Sequence, residues 1–356
     1  MTFEYVSVDE AIARRGWRMV VVGGVPSPWG EAAKGILHIK GIDWAAVRLV
    51  YDSEPLKAWA GQRSGPVAIY DDERPRAGWA DILLLAERLA PTPALLPEDA
   101  AERALVFGLA HEICGEDGLG WARRLQLIHA GLQGAGGFPP RVAAYLAKKY
   151  GHNPETGKAA GARVVALLEM LAARLEAQRK AGSRYYLGND LSAVDVYGAT
   201  FMALLAPLPH EQCAMEASSR AALETLDTAT AAALHPTLLE HRDMMYRERL
   251  VLPLSTIARA HSSATRASRQ SGIQLKQDER SGSLGAKRTA SGWKPDVCFQ
   301  SSPFGSVQTS EVPSALAAFG RKKPRLFPVP LPPMMTPCCS ERRPSRPAPR
   351  TSPRTS

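Results

Sequence analysis

Cysteine is scarce in this 356-residue sequence: there are five, an odd number, and no two are spaced as CxxC. An odd count without a secretory signal argues against a disulfide-built extracellular domain and is typical of a reducing compartment. The eight histidines form no HExxH motif and stand at no zinc-ligand spacing from a cysteine. We therefore expect a cytoplasmic protein with neither a metal site nor a tightly bound cofactor.

Long apolar runs are also missing. No stretch reaches the roughly 18 apolar residues that a membrane-spanning helix needs, so we expect no membrane partner. The segment before Trp17 carries Glu4, Asp9 and Glu10 and has no apolar stretch of the signal-peptide kind. The glycine-rich run 131–137 follows no strand and precedes no GK[ST], which excludes a phosphate-binding loop there. With 45% hydrophobic and 22% charged residues, the composition is that of a folded globular protein.

Negative charge is scarce in one part of the chain only. The net charge is +9, but residues 255–356 hold 17 of the 44 basic residues and 5 of the 35 acidic ones. Residues 1–254 are therefore mildly acidic, and we expect them to bind no nucleic acid. The segment 255–356 also holds 13 of the 28 prolines and shows no helical or strand period. We predict that it is a disordered basic tail, able at most to bind nucleic acid weakly.

Residues 1–91 alternate between helix and strand signals. Residues 1–17 form an N-terminal extension whose capping box, Ser7 to Glu10, starts a short helix. The following domain, 18–91, has predicted strands at 18–22, 43–50 and 66–70. It has predicted helices from Ser27 to about Gly41 and at 79–89. This order predicts a small α/β domain.

Residues 97–254 carry almost only helix signals. Residues 101–112 and 121–132 form one helix or a broken pair, and another helix runs from Pro139 to Gly151. Apolar residues at 164, 168, 171 and 175 share one face of a long helix. A further capping pair, Ser192 and Asp195, precedes an apolar run, and 238–250 is the last helix. We predict an all-helical second domain.

Three stretches together resemble the glutathione S-transferase family, which joins a thioredoxin-like domain to an all-helical domain. Ser27 to Gly41 is similar to the family's first loop and helix. Ser64 to Val67 is similar to its cis-proline turn, and Tyr186 to Asp195 to its "YLxGDxxTxAD" segment. The resemblance covers residues 18–254 and implies an α/β thioredoxin-like domain followed by an all-α domain.

The resemblance also implies a function and a site. The protein would bind glutathione as co-substrate and activate its thiol for attack on a small electrophile, as a detoxifying transferase and a homodimer. Ser27 would hold the sulfur as the catalytic residue. Gly65, Pro66 and Val67 would hold the peptide backbone of glutathione. Trp29 and Trp79 would line the substrate pocket, although such tryptophans are more often half-buried packing residues.

One position departs from the family pattern. Where relatives carry Glu-Ser to hold the γ-glutamyl end of glutathione, this sequence has Gly78 and Trp79. A second interpretation therefore stays open, in which the chain is a non-catalytic transferase-fold binding or scaffolding module with a decayed glutathione site. Ser27 likewise has two interpretations, since Ser before Pro is a common helix N-cap without any chemistry.

Overall fold

The computed structural model describes residues 5–254, which fall within one compact unit. Residues 5–254 include one mixed sheet in the strand order β1-β3-β2-β4. Its strands are β1 (Tyr5–Val6), β2 (Trp17–Val21), β3 (Trp44–Arg48) and β4 (Val67–Tyr70). β2 pairs with β3 in parallel and with β4 antiparallel, and Arg76 adds an isolated antiparallel bridge to Ala68. The predicted N-terminal extension contributes β1, which pairs in parallel with β3.

From Met19 onward, the inner strand β2 is apolar on both faces, as a strand covered from both sides must be. Met19 and Val21 of β2 point into a large core that the sheet shares with the helical part of the chain. Val20 and Val22 belong to a smaller core on the opposite face. All five residues of β2 are buried. The uninterrupted apolar run after Arg18, which predicts a buried strand, thus corresponds to the centre of the sheet.

Outside the sheet, residues 5–254 are mainly helical. None of the helices described is long and apolar enough to cross a membrane. Around the sheet lie α1 (Val8–Ala13), α2 (Pro28–Ile39), α3 (Glu54–Ala60) and α4 (Trp79–Leu89). The helical part contains α5 (Ala100–Cys114), α6 (Leu119–Leu132), α7 (Pro140–Tyr150), α8 (Pro154–Lys180), α9 (Ala193–Phe201), a 3₁₀ turn (Met202–Leu204), α10 (Ala217–Glu224), α11 (Thr228–Ala233) and α12 (Pro236–Glu248).

A buried lysine fastens the segment that connects the sheet to the helical part. The Lys40 ammonium lies 2.7 Å from a carboxylate oxygen of Glu87 and donates to the carbonyls of Ala90 and Pro93. Glu87 also accepts the N–H of Leu95, whose carbonyl accepts the N–H of Ala193 in α9. The ammonium, the carboxylate and the backbone groups named here are thus paired, which stabilises the connection.

Several predicted boundaries differ from the observed ones. The predicted strands at 18–22, 43–50 and 66–70 are shorter or shifted by one residue, and the short first helix ends at Ala13. Four short elements, β1, α3, α10 and α11, were not predicted from the sequence. The predicted helices at 101–112 and 121–132 are two separate helices, α5 and α6, joined by a short turn that includes Gly118. Gly118 packs directly against the backbone of α5, where a Cβ atom would lie only 2.7 Å from the His111 carbonyl oxygen. The predicted disordered tail, 255–356, lies outside the described residues.

Candidate functional site

Ser27 occupies the position just before α2 but does not cap it with its side chain. Its N–H donates to the Val25 carbonyl at 2.9 Å, and its own carbonyl accepts the N–H of Glu31 at 2.8 Å. The hydroxyl, by contrast, makes no hydrogen bond among the described residues, although Ser27 is only 2% exposed. The interpretation of Ser27 as a plain N-cap therefore does not explain why its hydroxyl has no hydrogen bond to the first N–H groups of α2. A buried hydroxyl without a partner is costly and retains the capacity to donate a hydrogen bond.

The turn before β4 lies beside the loop that leads to Ser27. Val20 of β2 pairs with Val67, so continuing the antiparallel register places Gly65 opposite Val22. A Cβ on Gly65 would stand 3.3 Å from the Val20 oxygen and 3.6 Å from the Val22 side chain. The Gly65–Pro66 peptide bond is cis. The carboxyl end of β2 and the amino end of β4 therefore meet at one edge of the sheet, close in the chain to Ser27.

Gly78 lies at this same edge. The bridge between Ala68 and Arg76 is antiparallel, so continuing its register places Gly78 beside Pro66. Gly78 is the residue before α4 and has no side chain with which to cap it. The topology thus brings together three of the positions singled out from the sequence: Ser27, the Gly65–Pro66 turn and Gly78.

Asp81 supplies a carboxylate where Gly78 has no side chain. A Cβ built on Gly78 would lie 3.1 Å from a carboxylate oxygen of Asp81, which is therefore folded back over the start of α4. The Asp81 side chain is 47% exposed, and Arg74 lies 3.6 Å away. Sequence reasoning missed this residue. Its signal was present, since an acidic side chain three residues after the N-cap is the second half of a capping box.

Trp29 lies in the core and not on an open cleft wall. It is 6% exposed, and its indole N–H donates to the Cys114 carbonyl at 2.9 Å. The Phe201 ring meets its face edge-on at 4.6 Å, and the Arg124 guanidinium lies 3.8 Å from its ring centre. These contacts join α2 to α5, α6 and α9. The ring of Trp29 thus has protein neighbours on several sides, and its role in lining a substrate pocket remains a prediction.

Two further predicted substrate-binding residues, Trp79 of the pocket and Val67 of the backbone-binding turn, also pack mainly against protein. Trp79 is half-buried, with the ring of Phe107 at 6.2 Å and that of Tyr197 at 5.6 Å, and its carbonyl accepts the Tyr197 hydroxyl. Val67 is fully buried in the smaller core, so only its backbone could face a peptide. Trp79 thus packs where the sheet part meets the helical part, and its role in substrate binding remains a prediction.

No described cysteine competes with Ser27 for a role in sulfur chemistry. Burial raises the pKa of the Cys114 thiol well above its usual range. Burial, together with the charge of Glu31, raises the pKa of Cys213 to about 12. Both therefore stay protonated and unreactive near neutral pH. Within residues 5–254, no group of three or more histidine, cysteine or acidic side chains could hold a metal ion.

Comparison with known proteins gives structural likenesses only. No protein-family model matches the chain, and no curated protein matches it. A glutathione S-transferase from Methylobacterium radiotolerans, in complex with glutathione sulfonate, is 18% identical with a TM-score of 0.44 and covers 65% of this chain and 92% of its own. A second glutathione S-transferase, from Methylobacillus flagellatus with glutathione bound, is 15% identical with a TM-score of 0.46. That match covers 66% of this chain and 96% of the other.

Those likenesses are too distant to carry a function, so the fold assignment rests on the elements themselves. β2, α2, β3, β4 and α4 follow the thioredoxin-like order, with a cis proline before β4. An all-helical part follows, in which Ser192 and Asp195 begin the buried helix α9. Residues 5–254 therefore have a glutathione S-transferase-like fold.

Proposed function

We propose that this protein is a glutathione S-transferase-like enzyme that binds glutathione at the sheet edge formed by Ser27, Gly65–Pro66 and Gly78. One observation carries the proposal: the Ser27 hydroxyl stands at the first turn of a 12-residue helix and has no partner among the described residues. A side chain that merely capped α2 would be hydrogen-bonded to the helix N–H groups. Here the hydroxyl keeps an unused hydrogen-bond donor, although the surrounding chain covers it.

The proposed chemistry begins with loss of the thiol proton to solvent. The resulting thiolate accepts a hydrogen bond from the Ser27 hydroxyl, and the N-terminal end of α2 adds a favourable field. Together these contribute about 1–3 kcal/mol, which lowers a thiol pKa by about one to two units. The thiolate sulfur then forms a bond to an electrophilic carbon, whose leaving group departs with the electron pair of the broken bond.

The rest of glutathione would be held mainly by backbone groups. The N–H and C=O of Gly65 would pair with the extended peptide as a neighbouring strand does. At the start of α4, the first N–H groups would receive the γ-glutamyl carboxylate. The Asp81 carboxylate would pair with the γ-glutamyl ammonium, taking the place of the side chains that Gly78 and Trp79 do not provide. Arg74, 3.6 Å from Asp81, would limit the gain from that pairing.

The test is the ultraviolet absorbance of the glutathione thiolate in the complex, measured against pH. We expect the wild-type complex to show thiolate below the pKa of the free thiol, and Ser27→Ala to shift that titration upward. The conjugation rate should fall at least about tenfold. Glutathione affinity, measured by calorimetry, should fall much less in Ser27→Ala than in Asp81→Asn. Titrations that coincide for wild type and Ser27→Ala would refute the role of Ser27.

Ser53→Ala is the matched control. Ser53 is the N-cap of α3, and its hydroxyl accepts the N–H of Leu56 at 3.2 Å. Its loss should cost about 1 kcal/mol of stability and leave the thiolate titration unchanged. Ser27→Ala should show the opposite behaviour, with little loss of stability because its hydroxyl makes no cap hydrogen bond.

The non-catalytic binding or scaffolding module is the alternative candidate, and it rests on the burial of Ser27. Ser27 is 2% exposed, so a bound thiol must displace the chain that covers the hydroxyl. Gly78 also provides no side chain for the γ-glutamyl group. This candidate predicts that calorimetry detects no glutathione binding to the wild-type protein, whereas the transferase proposal predicts saturable binding.

A further inference from the structure

A wide groove lies on the surface of the helical part, away from the Ser27 edge. It has a volume of about 770 Å³. Residues 93–98, which follow the sheet part, form one stretch of its wall, and residues 187–192, just before α9, form another. The end of α12 also contributes to the wall. The lining combines apolar side chains, such as those of Pro93 and Leu191, with charged ones.

Carboxylates without a counter-charge line this groove. Glu98, Glu102 and Asp190 are exposed, and none of the three forms an ion pair among the described residues. They come from two different stretches of the chain, so the fold and not the local sequence places them around one groove. Like charges around one groove repel one another, and a cationic occupant would relieve that repulsion.

Positive charge in the groove is limited. Among the described residues that line it, Arg249 is the only lysine or arginine, and its guanidinium donates to the Tyr185 hydroxyl at 3.1 Å. A fourth lining carboxylate, Glu248, is paired with Arg184 at 2.7 Å. The groove therefore has a net negative charge, which favours a cationic partner and disfavours an anionic one.

A segment of opposite charge begins close to the groove. Residues 255–277 carry four basic residues and no acidic one; the basic residues are Arg259, Arg266, Arg269 and Lys276. The described part of the chain ends at Leu254, which lines the same small cavity as His38. His38 also lines the groove. The chain thus leaves the described part beside the groove.

The segment is long enough to cross the groove. An extended chain spans at most about 3.6 Å per residue, so the residues from Ser255 to Arg266 reach up to about 40 Å. Because the segment is covalently attached, its effective concentration at the groove is on the order of millimolar, and weak contacts are enough to hold it. Arginine stems can lie along the apolar wall while their guanidinium groups pair with carboxylates.

We propose that the segment 255–277 of this chain binds in the groove, with its arginine side chains paired to Glu98, Glu102 and Asp190. Exposed ion pairs are screened by salt, so the segment is held at low ionic strength and released at high ionic strength. The proposal does not depend on glutathione binding, because neither Ser27 nor the Gly65–Pro66 turn lines the groove.

The test is limited trypsin digestion of the full chain at low ionic strength, because surface ion pairs add too little to stability for melting to detect them. The rate of cleavage after Arg266, inside the segment, is divided by the rate after Arg288, which lies beyond it. We expect this ratio to rise about three- to tenfold in Glu98→Lys/Asp190→Lys, as the loss of a few surface ion pairs provides. Wild type at about 0.5 M salt should show a similar rise.

A second variant leaves the folded part of the chain untouched. Arg259→Gln/Arg269→Gln removes two of the basic side chains and keeps the cleavage site at Arg266. Its ratio at low salt should rise as in the groove variant. If the groove variant shows the rise and this variant does not, the groove substitutions act through misfolding and the proposal is overturned.

The matched control is Asp52→Lys/Glu169→Lys, which makes the same change in charge at two exposed residues outside the groove. Its ratio should equal that of wild type. An equal rise in this control would mean that the segment responds only to the overall charge of the protein. A wild-type ratio that depends on protein concentration would mean that the segment binds a second copy of the chain. Either result, or a ratio that neither salt nor the groove variant changes, would overturn the proposal.

Discussion

Asp195 is the buried carboxylate whose removal should cost this fold most. Its side chain is fully buried and accepts the N–H groups of Tyr186 and Ser192, each at 2.9 Å. The Ser192 hydroxyl donates to it at 2.9 Å, and His241 Nε2 lies 3.0 Å away. One carboxylate therefore connects the start of α9, the loop before it and α12. The capping pair predicted from the sequence is the first part of this network.

Asp195→Ala removes the acceptor and keeps the donors. The two N–H groups and the His241 ring are left buried without a partner, and each such group costs about 1–3 kcal/mol. Because the loop before α9 can partly relax, we expect a total loss of about 3–5 kcal/mol in the free energy of unfolding. For a folded region of this size, the melting temperature should fall by about 6–20 °C.

The measurement is urea unfolding followed by tryptophan fluorescence, with thermal melting as a second probe. Asp190→Ala is the matched control, because Asp190 is an exposed aspartate in the loop just before Ser192. It should change stability by less than about 0.5 kcal/mol. In a double-mutant cycle, Asp195→Ala with His241→Leu should cost less than the two single losses together, since the stranded imidazole is gone. An Asp195→Ala protein as stable as Asp190→Ala would refute the reasoning.

Four further outcomes are expected in other parts of the chain. Gly120→Ala should cost about 1–3 kcal/mol, measured by urea unfolding, because its Cβ would lie 2.5–2.6 Å from two aromatic rings between the sheet and helical parts. Burial and the neighbouring His129, whose ring nitrogen lies 3.3 Å away, lower the pKa of His152. Folding thus favours the neutral ring, so the unfolded chain takes up a proton first and the urea midpoint should fall as pH drops through about 6.5. His152→Gln should make the urea midpoint less dependent on pH; an equal pH dependence in the variant and wild type would contradict this assignment. Truncation after Leu254 should leave the melting temperature nearly unchanged, as the composition of 255–356 predicts; loss of cooperative unfolding would place the boundary elsewhere. Leu84 is 41% exposed on α4, and we expect it in the interface of the homodimer that the family resemblance implies, so Leu84→Glu should give monomers in sedimentation experiments; a monomeric wild type or a dimeric variant would contradict this.

The local elements of this fold are those that the sequence determined most completely. The apolar run of β2 predicts a buried central strand, and Pro28 after Ser27 marks the start of α2. The capping signals at Ser7 and Ser192 mark two more helix starts. These features depend on neighbouring residues along the chain, so a single sequence contains enough information to place them. Short elements cannot be predicted in this way. β1 has only two residues, too few to show a period, and it forms because β3 lies beside it.

Tertiary structure decided how deeply each candidate site residue is buried and which partners its side chain has. From the sequence, Ser27 fits an N-cap and a catalytic hydroxyl equally well. Only the fold leaves that hydroxyl buried and unpaired. Only the fold shows that the Trp29 ring packs against α5, α6 and α9. Asp81 reaches the place of the missing Gly78 side chain. Burial and pairing of this kind depend on which distant segments meet, and no local pattern in the sequence records that.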